Sequence, residues 1–418
     1  VAFESSAFHF NFFETVCVKK RKEYDMNTED IKIFGDHDEA TLAQIRRSAA
    51  HEAVVGAVLC ADGHKGYGVP IGGVLAYDGH ISPSAVGFDV GCGNKACLLD
   101  IPADEMRANI ESIMDDVWRT LDFGVGRKNS NDGPTDHPLF DSDLWHGALL
   151  RPLKQMAQEQ LGTIGSGNHY VDLFSDEKDR AWVGVHFGSR GLGHKTATHF
   201  LKAGGASDSM DAEPLVLSMD SDLGQDYYAH MVLAGRYAYA GRDWVCDKVA
   251  SLLGAQVVEA VHNHHNFGWT ETHGGRELIV VRKGATPAFA GQRGFVGGSM
   301  GDCSVILEGV ASDEAITALN STVHGAGRAM SRTQARGKIN YKTKQVIAPG
   351  LVSREMMMEW IGKLGVELRG AGTDESPQAY KRLPEVLGFH QASVRVLHTL
   401  TPLGVAMAGE NEHDPFKD

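Results

Sequence analysis

The chain has 418 residues, a net charge of −14 and 20 histidines, and apolar residues make up 42% of it. That length can bury a large core, but no apolar run approaches the roughly 18 residues needed to cross a bilayer, so no membrane partner is expected. The acidic balance excludes a generic nucleic-acid binder, because phosphate affinity comes mainly from Lys and Arg.

Residues 1–25, VAFESSAFHFNFFETVCVKKRKEYD, fit neither a signal nor a transit peptide: the basic residues follow the apolar part. They are expected to be a non-core N-terminal extension. Residues 39–58 have the apolar spacing of a helix, and Asp62 and His64 then precede a glycine-rich strand-loop region. Residues 104–122 read as helical, and 125–145 as a polar, exposed loop. Residues 181–186 and 278–282 are expected to be buried strands. The stretch 225–262 predicts one or two long helices, and 355–369 and 384–398 the last helices. No Pro/Ser-rich linker interrupts the chain, and glycine-rich motifs run from 62 to 327. One large α+β domain with mixed sheets and long functional loops, over 26–409, is therefore expected, with 410–418 as a tail. Six cysteines (17, 60, 92, 97, 246 and 303) lack framework spacing, which fits a reducing, cytoplasmic setting.

The segment VGFDVGCGNK (86–95) places Asp89 and Cys92 three residues apart among glycines. A thiolate and a carboxylate so arranged can face one point, as when a loop supplies the first ligands of a metal; a buried Cys beside a turn-capping Asp is the alternative. Four histidines sit where strand-like segments meet glycine-rich loops: His169, His186, His265 and His324. Asp89, Cys92, His169, His186 and His265 make five donors, one too many for a closed tetrahedral zinc site. Five donors suit two metals sharing a ligand, and a thiolate can bridge. Spacing alone favours zinc, although imidazole and carboxylate also accept manganese. His324 opens HGAGR, whose glycine N–H groups can approach phosphate oxygens with Arg328 nearby. A neutral imidazole there can attack phosphorus and form a phosphoramidate. No acidic residue lies between Glu314 and Glu355, whereas Arg328, Arg332, Arg336, Lys338, Lys342 and Lys344 do. This window is a solvated helix face or an anion-binding surface, and its place after HGAGR favours the second.

Together ADGHKGYGVPIGGV, VGFDVGCG, GSGNH, HFGSRGLGH, HHN, RKGA, GSMG, HGAGRAMSR and DESPQAYK resemble the RtcB family of GTP-dependent RNA ligases, in family order over roughly residues 45–409. The resemblance implies joining of an RNA 3′-phosphate or 2′,3′-cyclic phosphate end to a 5′-hydroxyl end, in RNA repair or tRNA splicing, with GTP and two Mn²⁺ and by a monomer. It implies that Asp89, Cys92 and His169 hold one Mn²⁺, and Cys92, His186 and His265 the other. His324 would become guanylylated. Asn168, His169, Asp172, His265, Asn266, Gly297, Gly298, Ser299, Met300, Ser304, His324, Gly325, Ala326 and Gly327 would surround the nucleotide. End-capping by guanylylation, cyclic-phosphate hydrolysis with the same site, and RNA binding without catalysis are the alternatives.

The chain departs from the family pattern in three places. Ala408, in VAMAG, stands where the family's tail carries a lysine, and Lys417 lies too far downstream to replace it without rearrangement. Asp172 replaces a glutamate, and Gly297 a common proline. A lost charge-assisted contact is worth roughly 1.5–3 kcal/mol, so weaker GTP use is expected.

Overall fold

In the computed structural model, the described residues are 30–130, 133–207, 209–339, 345–410 and 412. The proposed extension (1–25), Lys342, Lys344 and Lys417 lie outside them.

Two sheets dominate. In the larger, strands run in the order Arg293–Val296, Ser304–Gly309, Val394–Gly409, Tyr170–Asp176, Arg180–Phe187, Gly93–Pro102, Val257–His264. Val394–Gly409 is long enough to pair with Ser304–Gly309 through its first half and with Tyr170–Asp176 through its second. Strand Glu367–Ala371 joins the second half in parallel, and the other pairings are antiparallel. The second sheet has the order Lys32–Ile33, Val54–His64, Ile71–Tyr77, Arg276–Lys283, Asn266–His273. Helices and mixed sheets interleave along the chain, as the expected α+β class requires.

Period-two alternation assigns the faces of the large sheet. In Arg180–Phe187, Ala181, Val183, Val185 and Phe187 join Val245, Val249, Met114 and Val117 in one buried cluster beneath the helices Asp222–Leu252 and Ile110–Thr120. Trp182 lies in the opposite cluster, with Phe174, Phe295, Ile306, Met357 and Met407. His186 shares that face, next to Tyr170 on the neighbouring strand.

Several expected elements differ in extent. The helix expected over 39–58 is Glu39–Ala49, and Val54–His64 is a strand; VVGAV fits a buried strand as well as a helix, and the break at His51 decides. Asp222–Leu252 is one helix, capped by the Ser221 hydroxyl accepting from the Gly224 N–H. It does not reach 262. Gly254 turns the chain at φ +64°, and Val257–His264 is a strand. Likewise Arg354–Leu364 ends at Gly365 in the left-handed conformation before strand Glu367–Ala371. Of the helix expected over 384–398, only Leu383–Gly388 is helical, since the rest begins the long strand. The loop expected over 125–145 is polar at its start but buries Phe140 and Trp145, and the Trp145 indole N–H donates to the Leu139 carbonyl at 2.9 Å.

Ile306 is fully buried where the central strands meet the opposite cluster. Ile306→Ala is expected to lower the unfolding free energy by about 2–5 kcal/mol, read as a lower urea midpoint with an unchanged slope. A loss below about 0.5 kcal/mol would show that this cluster does not support the sheet.

Candidate metal and nucleophile centre

The register of four neighbouring strands assembles the centre. Tyr170 pairs with His186, Gly93 with Phe187, and Gly93 also with His264. Two of these strands start, and two end, at the same level of the sheet. The residues just outside or at those ends are His169, Cys92, His186 and His265. Four candidate ligands far apart in sequence are thus delivered to one rim, and the loop before Gly93 brings Asp89.

The side chains converge as two triads sharing one atom. The ligand atoms of Cys92, His186 and His265 lie within 4.8 Å of one another, as do those of Asp89, Cys92 and His169. Cys92 Sγ is 3.2 Å from His186 Nε2 and 3.7 Å from His169 Nε2. His186 Nε2 is 3.3 Å from His265 Nε2. The tautomers test whether a cation fits. His186 Nδ1 faces the Asn168 carbonyl at 3.0 Å, an acceptor, so Nδ1 carries the proton and Nε2 presents a lone pair to the centre. Burial depresses the basicity of His186 and His265, with nearby imidazoles adding to the effect, which keeps both neutral as ligands require. Burial raises the Cys92 thiol, with Asp89 adding to it; a bound cation would counter that. The five donors fit a pair of cations bridged by sulfur.

His169 is held differently. Its Nε2 lies 3.0 Å from Asp89 Oδ2, and its Nδ1 lies 3.2 Å from Arg190 Nη1. A guanidinium only donates, so Nδ1 accepts and Nε2 carries the proton. Holding a cation through Nε2 would need the ring proton on Nδ1 instead, the atom that Arg190 faces. Arg190 itself sits at φ +56°, a conformation that arginine adopts at an energetic cost. It was visible in HFGSRGLGH but was not selected from the sequence, because a single arginine carries no periodic or spacing signal.

A second missed residue, Asp62, lies under His324. Its Oδ2 accepts from His324 Nδ1 at 2.7 Å and from the backbone N–H groups of His324 at 3.0 Å and Gly325 at 3.3 Å. Nδ1 is thereby the protonated nitrogen, leaving the Nε2 lone pair free. Asp62 is fully buried. Burial would raise its carboxyl, but the His324 imidazole and N–H groups outweigh this and hold it below the usual carboxylate range. Gly327, at φ +73°, makes the approach possible, because a Cβ there would lie 2.2 Å from the Asp62 carbonyl oxygen. His265 and His324 stand edge to face with ring centres 4.8 Å apart, so the Asp62–His324 pair adjoins the rim of candidate ligands.

The remaining candidates divide between wall and scaffold. An isolated bridge joins Gly297 to Gly325 and brings loop 297–300 against the His324 loop. Ser304 Oγ accepts from the Gly298 N–H at 3.0 Å, pinning that loop, and Met300 and Ala326 are buried apolar packing. Among the described residues, the Ser299 hydroxyl and Asp172 Oδ1 are buried without a hydrogen-bond partner, whereas buried polar groups ordinarily have one. Burial pushes the Asp172 carboxyl well above its ordinary value. Asn266 is committed to the backbone: its amide nitrogen donates to the Asp89 carbonyl, and its oxygen accepts from the Gly284 N–H. The Asn168 carbonyl orients His186 as described. Ala408 packs with Ala406, Val171 and Ile164, on the opposite face from Met407 and Tyr170.

The arginines of the basic window are ion-paired within the fold. Arg328 donates to the Asp374 carbonyl and the Tyr380 hydroxyl. Arg328 and Arg332 both pair with Glu375, and Arg332 and Arg336 lie 3.3 and 3.8 Å from Asp374. Three guanidinium groups on two carboxylates keep one net positive charge, and Arg332 approaches Gly167 beside the Asn168–His169 loop.

Burial holds His64 and His390 down to about 4 and His262 to about 3. The native state binds these protons less readily than the unfolded chain, so their contribution is complete above about 6.5 and is lost as pH falls toward about 4. The melting temperature is expected to drop through that window, and His64→Gln and His390→Gln to flatten the fall. A flat profile in the unaltered protein would contradict the neutral histidines.

The sequence model described as tRNA-splicing ligase RtcB matches residues 44–149 and 146–408. The chain is 30% identical over 369 residues to the RNA-splicing ligase RtcB of Escherichia coli (strain K12), covering 81% of this chain and 86% of that protein. It is 30% identical to the tRNA-splicing ligase RtcB of Archaeoglobus fulgidus and 29% identical to that of Thermococcus kodakarensis, each match covering 84% of this chain and 87% of the relative. With its motifs, its fold and nearly its whole length accounted for in this way, the chain belongs to the RtcB family of RNA-splicing ligases.

Proposed function

We propose that this RNA ligase joins an RNA 3′-phosphate or 2′,3′-cyclic phosphate end to a 5′-hydroxyl end, using GTP and two Mn²⁺. The observation that carries the reading is the Asp62–His324 pair, whose free Nε2 stands beside the two triads that share Cys92. Asp89, Cys92 and His169 would hold one ion, and Cys92, His186 and His265 the other. Bound there, the ions supply charge neutralisation on attacking and leaving phosphate oxygens.

The chain's own residues account for the rest. Asp62 keeps the His324 proton on Nδ1, so Nε2 attacks the GTP α-phosphorus; an N–P bond forms as the bond to diphosphate breaks. Asp62 then stabilises the charge that develops on the substituted ring. A cyclic end is first opened by water, which forms a P–O bond as the P–O2′ bond breaks and O2′ takes a proton. The GMP then passes to an oxygen of the RNA 3′-phosphate, breaking the N–P bond and returning the lone pair to His324. Attack by the 5′-hydroxyl on the 3′-phosphorus expels GMP and loses a proton, leaving a phosphodiester. Ser299 and Asp172 are the unpartnered groups best suited to the nucleotide. Arg190, released from His169, joins Arg328 and Arg332 in binding phosphate.

Incubation with α-labelled GTP and Mn²⁺ is expected to give a covalent GMP adduct that His324→Ala abolishes. Asp62→Asn should slow adduct formation by about 10³–10⁴-fold, as for other buried carboxylates that orient a catalytic histidine. If no adduct forms with any divalent metal, the reading fails. RNA of defined ends then separates joining from capping or hydrolysis. Cys92→Ala is expected to remove both metals together, and elemental analysis finding one ion at full occupancy would contradict the shared thiolate.

A further inference from the structure

Arg242, on helix Asp222–Leu252, is fully buried, and among the described residues no carboxylate pairs with it. Its neighbour Asp243 is paired with Lys95 and His262 instead. A buried cation without a counter-charge is expensive. The other fully buried arginine among the described residues, Arg282, meets that demand in the usual way, with a two-pronged pair to Glu271. Arg242 spends its donors differently. Nη1 donates to the carbonyls of Gly91 at 3.0 Å and Phe187 at 2.5 Å, Nε donates to His262 Nε2 at 2.8 Å, and Nη2 lies 3.0 Å from His264 Nδ1.

The three innermost contacts share a pattern. Gly91 immediately precedes Cys92, Phe187 immediately follows His186, and His264 immediately precedes His265. One guanidinium therefore touches the sequence neighbour of every member of the triad Cys92–His186–His265, and of no residue adjacent to Asp89 or His169. The planar fork has fixed donor directions, so it braces from the side three chain segments that the backbone joins only through Gly93, paired with Phe187 and with His264. Lysine, with one nitrogen, cannot span them.

We propose that Arg242 is the positioning residue of the Cys92–His186–His265 cation position: its guanidinium presets the spacing of that triad before a cation arrives. The proposal rests on the two-metal reading above. It assigns to one triad a rigid, prebuilt frame, and leaves the Asp89–Cys92–His169 triad to adjust through Arg190.

Co²⁺ is a suitable probe, since thiolate ligation gives a charge-transfer absorption. The unaltered protein is expected to bind two Co²⁺ per chain; binding none would overturn both the metal reading and the proposal. Arg242→Lys and Arg242→Gln are expected to keep one Co²⁺ and to weaken the other by about 10–100-fold, the usual range when a group supporting a ligand is removed. Arg282→Lys, the control for general loss of packing, should lower the melting temperature and keep two Co²⁺. The proposal is overturned if the Arg242 variants bind both ions with unaltered affinity and spectrum, or if Arg282→Lys weakens Co²⁺ equally. A measurement that needs no variant is hydrogen exchange of the Arg242 Nε–H in the metal-free protein. Slow exchange is expected of a prebuilt clamp, and exchange at the rate of an exposed arginine overturns it.

Discussion

Gly93 is paired on both sides, with Phe187 on one strand and with His264 on the other. That double register is the constraint on which the centre depends. A Cβ at Gly93 would lie 2.2 Å from the Asn263 carbonyl oxygen, so the three strands can lie this close only without a side chain there. A one-residue slip of either partner would turn its histidines to the opposite face. The rim would then lose its ligands while the fold kept its hydrogen bonds.

Polar groups around the rim are oriented by what their far ends touch. His186 is aimed by a carbonyl, His324 by a carboxylate and His169 by a guanidinium. The first two partners enforce a tautomer with the lone pair toward the reacting region, and the third enforces the reverse. This asymmetry sets the His186 and His324 side of the centre, where a lone pair already faces inward, apart from the His169 side, where it does not. The imidazole of His324 is oriented by the protein itself, because Asp62 is buried, held below the usual carboxylate range and triply hydrogen-bonded.

Asp89, Cys92 and the histidines stood out in the sequence because each lies in a glycine-rich loop next to an apolar run, and the fold brings Asp89, Cys92, His169, His186 and His265 together. Their partition into two triads sharing Cys92 agrees with the resemblance-based expectation. Asp62 and Arg190 were not selected, since their role is set by contacts spanning 262 and 21 residues of sequence. Arg242 was hidden in a segment that spacing marks as core helix. The helices expected across 39–58, 225–262 and 384–398 overran for one reason. Each begins as a true helix and continues into Val- and Ala-rich strands, where short apolar runs fit both periods. Gly254 and the residues around His51 were the available stop signals. Ala408 shows another limit: its place in the chain suggests the nucleotide, whereas alternation along Val394–Gly409 turns it toward the helix-covered face.

The ion-paired arginines carry a consequence for selectivity. Arg328, Arg332 and Arg336 are held by Asp374 and Glu375 inside a chain of net charge −14. An incoming anion meets cations that are already immobilised, so it orders little on arrival, but it must compete with two resident carboxylates. Monovalent anions compete poorly with a carboxylate, whereas a phosphate offers several charged oxygens to more than one guanidinium at once. Such an arrangement acts as a threshold. For a phosphate approaching these arginines, the two carboxylates would set how much concentrated charge it must present before the guanidinium groups change partners.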